Sequence, residues 1–249
     1  MRKVGIMSMQ RIANYGSFLQ AYALKQLIEE VGCNVEFVDY HVGAPVITEN
    51  ADSKNKVVRK IEKGLETFRY RAPLAHKLSF IRYKQSFAQK YMPLLGITDE
   101  MNYNPTVDCL VIGSDEVFNC IQKNSNVGYS PELFGKNNHA KKLITYAASF
   151  GNTTLEKLEK YKKANEVGAL LKKFDAISVR DANSGTIVEQ LTGKEPVYNL
   201  DPVLTYDYMN CCDKIPQVQT NEKYLILYAY AGRISNDEAD WIAAYAKKK

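Results

Sequence analysis

The sequence DCLVIGSDEVFN, residues 108–119, joins a short apolar run directly to a polar loop. An uninterrupted apolar run of this length, without polar alternation, is typical of a strand buried on both faces of a parallel sheet. The polar residues begin where such a strand would leave the sheet. Because ligands bind at the carboxyl ends of the strands in open parallel sheets, this loop is the first candidate for a functional site.

The first forty residues predict a strand, a helix and a second strand. Residues 4–8 form an apolar run, and residues 34–40 alternate between apolar and polar side chains. Between them, residues 16–31 carry apolar side chains at helical spacing, and Gly32 follows where a helix would end. Two strands joined by one helix make a βαβ unit. Its strands are expected to be parallel, and the crossover connection between them is expected to be right-handed.

The same alternation continues towards the carboxyl end. Strands are predicted over 142–148, 176–179 and 196–200, with one long helix over 154–173 and another over 182–191. Residues 1–205 are therefore predicted to be an α/β lobe, a Rossmann-like parallel sheet with flanking helices.

The last part of the chain carries a different prediction. Residues 206–221 are polar, contain proline and indicate a linker, followed by a strand over 224–231 and a helix over 235–246. One strand and one helix cannot bury a core. Residues 222–249 are therefore predicted to begin a truncated carboxyl-terminal lobe, the alternative being an element added to the first lobe.

Composition indicates a soluble, cytoplasmic protein. The chain has 249 residues, 45% of them apolar, and five cysteines without a CxxC pair. Such cysteine usage is typical of a reduced compartment, and the scattered histidines suggest no zinc ligand set, so no metal is predicted. The amino terminus lacks the apolar core of a signal peptide, and no stretch approaches the length of a membrane span.

Positive charge is concentrated in residues 54–91, which predict two basic helices separated near Pro73. Between residues 54 and 90, eleven Lys and Arg face only two Glu, so this part is +9 and the remainder of the chain is −4. The simple interpretation is two solvated helices packed through their apolar stripes. The alternative is a surface for an anionic membrane or glycan at the inner face of the membrane. Nucleic acid is not predicted, because no recognised binding module is present.

Four loops at predicted strand ends carry the candidate site residues. In the first, residues 14–17 open a helix, where free backbone N–H groups favour an anion, although Asn14 or Ser17 can instead act as an ordinary cap. In the fourth, Arg180 suits a phosphate or carboxylate, while Asp181 can pair with it or cap the next helix. The full set of predicted rim residues is Asn14, Tyr15, Gly16, Ser17, Ser114, Asp115, Asn119, Ser149, Gly151, Arg180 and Asp201.

Six short motifs, in this order, resemble the polysaccharide pyruvyl transferase family. They are NYGSFLQ (14–20), VDY (38–40), VIGSDEVFN (111–119), YAASFG (146–151), ISVRD (177–181) and LDP (200–202). The third is similar to the family's GSDQVWN, with Glu116 and Phe118 in place of Gln and Trp. Family members also carry an Arg-x-His motif in a second lobe, and this sequence has no Arg-x-His.

The resemblance implies a two-lobed, GT-B-like fold and a reaction in which phosphoenolpyruvate donates a pyruvyl group to a sugar as a cyclic ketal. It implies that phosphoenolpyruvate serves as the donor substrate without a further cofactor, and that a sugar or lipid-linked oligosaccharide of a cell-surface or exopolysaccharide is the acceptor. Donor binding is expected at residues 14–17 and Arg180, and acceptor binding at Asp115 and Asn119. The acid that protonates the donor is expected in the second lobe, so this chain alone is expected to be inactive.

Two other functions remain open from the sequence. A nucleotide-sugar glycosyltransferase of GT-B type shares the two-lobed shape, and would need an acidic residue to hold the ribose. A non-catalytic glycan-assembly protein is favoured if the natural chain ends at residue 249.

Overall fold

A computed structural model describes residues 1–47, 73–103, 105–122, 126–214, 223–227, 229 and 233–248. The chain divides into two compact units, Met1–Tyr206 and Asp207–Lys249. The first of the two predicted basic helices, over 57–68, lies outside the described residues.

A parallel four-stranded sheet forms the centre of the first unit. Its spatial order is β2-β1-β3-β4, and all three neighbouring pairs are parallel, as predicted. The predicted strand around residue 110 lies in this sheet, and four of its five residues are buried. The strands are β1 (Lys3–Met7), β2 (Asn34–Phe37), β3 (Cys109–Gly113) and β4 (Lys142–Tyr146).

Two short strands extend the arrangement beyond β4. They are β5 (Ser178–Val179) and β6 (Val197–Tyr198), which pair in parallel with each other. Parallel bridges from Ile144 to Ala176 and from Ala148 to Val179 connect β4 to this pair. The carboxyl ends of β1, β3, β4, β5 and β6 therefore face one edge.

Two helices pack together through aromatic side chains. Helix α1 (Tyr15–Glu30) connects β1 to β2, and α2 (Leu74–Leu95) begins directly after Pro73, where the break was predicted. The ring centroids of Phe18 and Tyr91 are 5.2 Å apart, and those of Phe18 and Phe87 are 6.5 Å apart. Such contacts add to the hydrophobic stabilisation of both helices.

The predicted long helix over 154–173 is wrong, because the structure has two helices there. Helix α3 (Leu155–Lys160) ends and α4 (Ala164–Leu171) begins after a short break. Lys162 takes a left-handed conformation with φ +57°, its N–H donates to the carbonyl of Glu159, and the next N–H donates to the carbonyl of Leu158. This is the Schellman closure of a helix, made here with lysine where glycine is usual.

The main core includes residues from the sheet and from the later helices. Helix α5 (Ala182–Thr192) and α6 (Pro202–Thr205) complete the first unit, together with a 3-10 helix over Pro131–Phe134. Phe118 packs against Phe134 and Phe150 at centroid distances of 4.7 and 5.2 Å. Phe118 and Phe150 lie in the loops that follow β3 and β4, and their packing on Phe134 helps to fix both loops.

The second unit contains a 3-10 helix over Tyr208–Lys214 and helix α7 (Asn236–Ala246). Ser235 and Glu238 form a capping box at the start of α7, and none of its residues is buried. The strand predicted over 224–231 is wrong for its described part, since 224–227 have no strand conformation. A strand needs a neighbour for its backbone hydrogen bonds, and the described residues provide none.

None of the helices described is long and apolar enough to cross a bilayer.

Candidate functional site

The candidate site lies where the strand order reverses, between β1 and β3. From β1 the chain runs outward to β2, and it then crosses to β3 on the other side of β1. In doubly wound proteins such a reversal opens a crevice at the carboxyl edge of the sheet, and ligands bind there. The loops that follow β1 and β3 form its two sides.

A buried hydrogen-bond network holds these two loops together. The Ser8 hydroxyl donates to the carbonyl of Ser114 (3.3 Å), and the Gln20 amide donates to the Ser8 hydroxyl (3.0 Å). Ser114 in turn donates to the side chain of Gln20 and is fully buried. Ser114, a predicted rim residue, therefore positions the loops from beneath and is not accessible to a ligand.

Glycine is required at the end of β3. Gly113 has φ +134°, and a Cβ atom there would lie 2.2 Å from the carbonyl oxygen of Tyr146 in β4. The peptide bond between Gly113 and Ser114 is cis. Close approach of the two strands at this point therefore fixes where the polar loop leaves the sheet.

The helix start at residues 14–17 does not present free N–H groups in the way that the sequence suggested. The Asn14 side chain caps α1, accepting from the N–H of Gly16 (2.7 Å) and of Ser17 (3.3 Å). Tyr15 packs on α2, with its ring stacked 5.7 Å from Tyr83. Of the four residues predicted to bind the donor here, Asn14 acts as a cap and Tyr15 as a packing residue.

Four side chains from distant parts of the chain meet at the rim, and we call them the rim cluster: Ser17, Asp115, Arg180 and Asp201. The Ser17 hydroxyl donates to Asp115 Oδ2 (2.7 Å), and Arg180 Nη2 lies 3.9 Å from Asp115 Oδ1. On its other side, Arg180 Nη1 donates to Asp201 Oδ2 at 2.5 Å. The predicted convergence of Gly16, Asp115 and Arg180 at one edge of the sheet is therefore present.

The rim cluster does not have the positive charge that the sequence suggested. One guanidinium faces two carboxylates, so the cluster carries a net charge of −1. Arg180 nevertheless uses only Nη1 for a hydrogen bond in the part of the chain that the structure describes. A guanidinium has five N–H donors, so several remain for a ligand.

Asn119, predicted to bind the acceptor, is instead saturated by its own neighbours. Its amide nitrogen donates to Glu116 Oε2 (2.8 Å) and Asn152 Oδ1 (3.1 Å). Its oxygen accepts from the N–H of Ile121 and from the hydroxyl of Thr153. An asparagine side chain has no further strong hydrogen-bonding position, so Asn119 holds the loops together.

The loop after β4 is also tied into the structure. The Ser149 hydroxyl donates to Asp181 Oδ2 (2.6 Å), and the N–H of Gly151 donates to that hydroxyl (3.0 Å). Asp181 caps α5 through the N–H of Ser184, so the capping alternative is the correct one and the Arg180 partners are Asp115 and Asp201. Ser149 and Gly151 support the rim and do not contribute a free polar group.

Sequence reasoning gave no role to Arg11 or Tyr40, which lie beside the rim. Arg11 forms a fork with both carboxylate oxygens of Asp39 (2.6 and 2.7 Å), and these bonds raise the pKa of Arg11. Burial raises the pKa of Tyr40 to about 12, and the charges of Asp115 and Asp39 add to the effect. Tyr40 is therefore a neutral phenol near the rim cluster. The VDY motif contains Asp39 and Tyr40, but no rule of sequence spacing predicts that Arg11 pairs with Asp39 or that Tyr40 lies near Asp115.

Comparison with known proteins gives one match. The family model described as polysaccharide pyruvyl transferase matches residues 14–248. No curated protein and no solved structure matches the chain.

Proposed function

Because the chain belongs to the polysaccharide pyruvyl transferase family, we propose that it transfers the pyruvyl group of phosphoenolpyruvate to two hydroxyls of a cell-surface or exopolysaccharide sugar. Protonation of the methylene carbon creates an oxocarbenium-like centre at the neighbouring carbon. Two sugar hydroxyls add to this carbon in turn, phosphate leaves with the bridging oxygen, and the two hydroxyl protons are released. The reaction needs no cofactor beyond its donor, and we propose that it takes place in the cytoplasm.

The observation that carries this proposal is the approach of Arg180 to Asp115 within 3.9 Å. A transferase must hold an anionic donor next to the hydroxyl that attacks it. A guanidinium suits a phosphate or carboxylate, and a carboxylate suits a sugar hydroxyl, from which it can accept a proton. The two groups come from different strand ends, and their proximity provides both functions side by side.

Within this proposal Arg180 contacts one anionic group of the donor. Its Nη1 atom is held by Asp201, which fixes the guanidinium plane and leaves the other N–H groups free of hydrogen bonds within the described residues. Since the rim cluster carries −1, Arg180 alone does not balance a donor with both a carboxylate and a phosphate. At 4 Å and an effective dielectric constant of 20, each charge pair contributes about 4 kcal/mol. Further cations from outside the rim cluster are therefore part of the proposal.

Asp115 is proposed to bind the attacking hydroxyl. Its Oδ1 accepts the N–H of Glu116 (2.8 Å) and its Oδ2 accepts the Ser17 hydroxyl, so the carboxylate is held in one orientation. The side chain is about four-fifths buried, at 19% exposure, and still reachable from solvent. An ordered carboxylate of this kind can orient a hydroxyl and accept its proton as the carbon–oxygen bond forms.

The test is incubation of a full-length protein that includes the proposed second lobe with phosphoenolpyruvate and a panel of nitrophenyl-linked and lipid-linked sugars. Phosphate release and the mass gain of a pyruvyl ketal on the glycan are measured together. Asp115→Asn should reduce the rate by about 10²-fold or more, the lower range for a lost general base. The matched control is Asp175→Asn, at the opposite edge of the sheet beside Lys142, which should leave the rate unchanged. Lack of product with every sugar would contradict the proposal.

The two-lobed, GT-B-like architecture is a further part of the proposal. We propose that Asp207–Lys249 contributes to a second lobe, and that further residues of this lobe cover the exposed face of α7. Its support is that Trp241 and Tyr245 stack at 5.7 Å on a helix without a buried residue. A short helix without packed neighbours has little stability of its own. A longer chain that includes this lobe should protect the amides of α7 from hydrogen exchange relative to residues 1–249, and equal exchange rates in the two proteins would contradict a lobe at this face.

Contact with an anionic membrane surface is proposed for α2. This helix has four Lys and Arg and no Asp or Glu, while Leu74, Leu78 and Phe80 are exposed. Basic side chains near an anionic membrane contribute about 1 kcal/mol each. Such contact would bring the rim close to acceptors built on lipid carriers. Binding to anionic vesicles should exceed binding to neutral vesicles and fall with salt, whereas equal binding to both would rule the contact out.

A further inference from the structure

A cavity of about 320 Å³ lies beside the rim cluster, between the loops that follow β1 and β2. Its apolar lining includes Met9, Ile12 and Met101, and its polar lining includes Arg11, Asp39 and Tyr40. We call it the loop cavity. Its volume is at the lower end of the range for small-molecule sites, about 300–1,000 Å³, and is sufficient for a sugar ring.

The charges that line the loop cavity cancel. Arg11 and Asp39 are bound to each other through two hydrogen bonds, and Arg11 also donates to the carbonyls of Thr98 and Glu100. The remaining positions of Asp39 are filled by Gln10 and by the N–H of Asn102. The pair is thus a rigid and neutral part of the wall, which gives no advantage to an anion such as the donor.

Tyr40 is the polar group in this wall that lacks a partner. The residue is nine-tenths buried, at 9% exposure, and its hydroxyl forms no hydrogen bond in the described part of the chain. Tyr40 lines the loop cavity, so a molecule in the cavity can reach this residue. Buried tyrosine hydroxyls usually have a hydrogen-bond partner, so this one is available to a ligand.

The loop cavity also lies close to the proposed reaction position. Tyr40 is near enough to Asp115 for the carboxylate charge to help keep the phenol protonated. A neutral Tyr40 can both donate and accept a hydrogen bond, which matches a sugar hydroxyl. Apolar side chains such as Met9 and Met101 suit the C–H face of a sugar ring.

We infer that the loop cavity is a glycan subsite, in which Tyr40 hydrogen-bonds a neutral sugar of the acceptor next to the sugar held at Asp115. This inference rests on the proposed pyruvyl transfer for its acceptor. It adds that the protein recognises at least two adjacent sugar units, and that the second unit is uncharged.

The test is direct binding of neutral nitrophenyl disaccharides without phosphoenolpyruvate, measured by saturation-transfer NMR and calorimetry. Tyr40→Phe removes only the hydroxyl and should weaken binding about three- to tenfold, the range for one neutral hydrogen bond. Met101→Trp fills the loop cavity at a half-exposed position and should abolish measurable binding. The controls are Tyr161→Phe at the end of α3 and Val31→Trp after α1, both away from the loop cavity, which should bind like the wild type.

Affinity for phosphoenolpyruvate alone should be the same in all five proteins, which shows that each variant is folded. Binding by the wild type with weaker binding by Tyr40→Phe and Met101→Trp supports the subsite, even if no pyruvylation is ever seen. If pyruvylation occurs but both variants bind disaccharides like the wild type, the subsite is refuted and the proposed reaction remains. Failure of every neutral disaccharide to bind also refutes the subsite.

Discussion

Replacement of Arg180 by alanine separates a donor-binding role from a structural one. The change removes the ion pair to Asp201 at 2.5 Å and the weaker one to Asp115 at 3.9 Å. These side chains are only 19–26% exposed, so the loss of stability should exceed that of a surface pair. We expect about 1–2 kcal/mol, between the values for exposed and fully buried pairs. For a unit of this size, that lowers the Tm by about 2–8 °C.

The loss of donor affinity should be larger than the loss of stability. Hydrogen bonds to charged groups are worth about 1.5–3 kcal/mol, which corresponds to about 10- to 150-fold in the Kd for phosphoenolpyruvate. Arg180→Lys keeps the charge but loses the fork, so its donor affinity should lie between those of the wild type and Arg180→Ala. Calorimetric titration with phosphoenolpyruvate and thermal unfolding of each protein give the two quantities.

Arg11→Ala is the matched control, because Arg11 forms an ion pair with Asp39 that has no proposed contact with the donor. This variant should lose stability as Arg180→Ala does, while its affinity for phosphoenolpyruvate stays at the wild-type value. The reasoning is refuted if Arg180→Ala lowers the Tm and binds phosphoenolpyruvate like the wild type, since Arg180 would then be a structural residue only.

Three further predictions concern the fold. Gly113→Ala should destabilise the protein by several kcal/mol or prevent folding, because φ is +134° and the new Cβ would lie 2.2 Å from the Tyr146 carbonyl oxygen. Chemical denaturation measures the loss of stability, and a loss below about 1 kcal/mol would contradict the geometry. Hydrogen bonding to Lys163 lowers the pKa of Glu166 below its ordinary 4.5, so this carboxylate stabilises the fold above that pH and the benefit disappears as the pH falls through the lowered value. Glu166→Gln should therefore cost more stability at pH 7 than at pH 3, and an equal cost at both would count against the ion pair. Trp241 is the only tryptophan and is 68% exposed, so iodide should quench its fluorescence readily in this chain, whereas strong protection would show that α7 is covered.

The sheet could be predicted from sequence because its strands are short apolar runs with clear ends. The run over residues 108–113 became β3, and the loop motifs after β1, β3 and β5 met at one edge because parallel strands end there. The break between α3 and α4 could not be predicted, because a lysine takes the left-handed position that usually signals itself through glycine. The strand predicted over 224–231 is wrong for residues 224–227, and this shows that apolar composition alone does not supply a pairing partner.

The roles of individual site residues were harder to predict than their position. A polar residue after a strand can face a ligand or its own neighbours, and the sequence does not distinguish Asp115 from Asn119 in this respect. The structure does, since all four hydrogen-bonding positions of Asn119 are filled from within the loops. Tyr40 is the reverse case. Its hydroxyl is available because no described residue forms a hydrogen bond with it, and no sequence motif indicates this.

Isotope transfer tests the proposed reaction most directly. Phosphoenolpyruvate labelled with ¹⁸O at the oxygen that bridges carbon and phosphorus is incubated with the protein and an acceptor glycan, and the label is followed by mass spectrometry. Because both ketal oxygens come from the sugar, pyruvyl transfer places all of the label in the released phosphate and none in the modified glycan. Label that remains with pyruvate would show cleavage of the phosphorus–oxygen bond, and would contradict pyruvyl transfer by this protein.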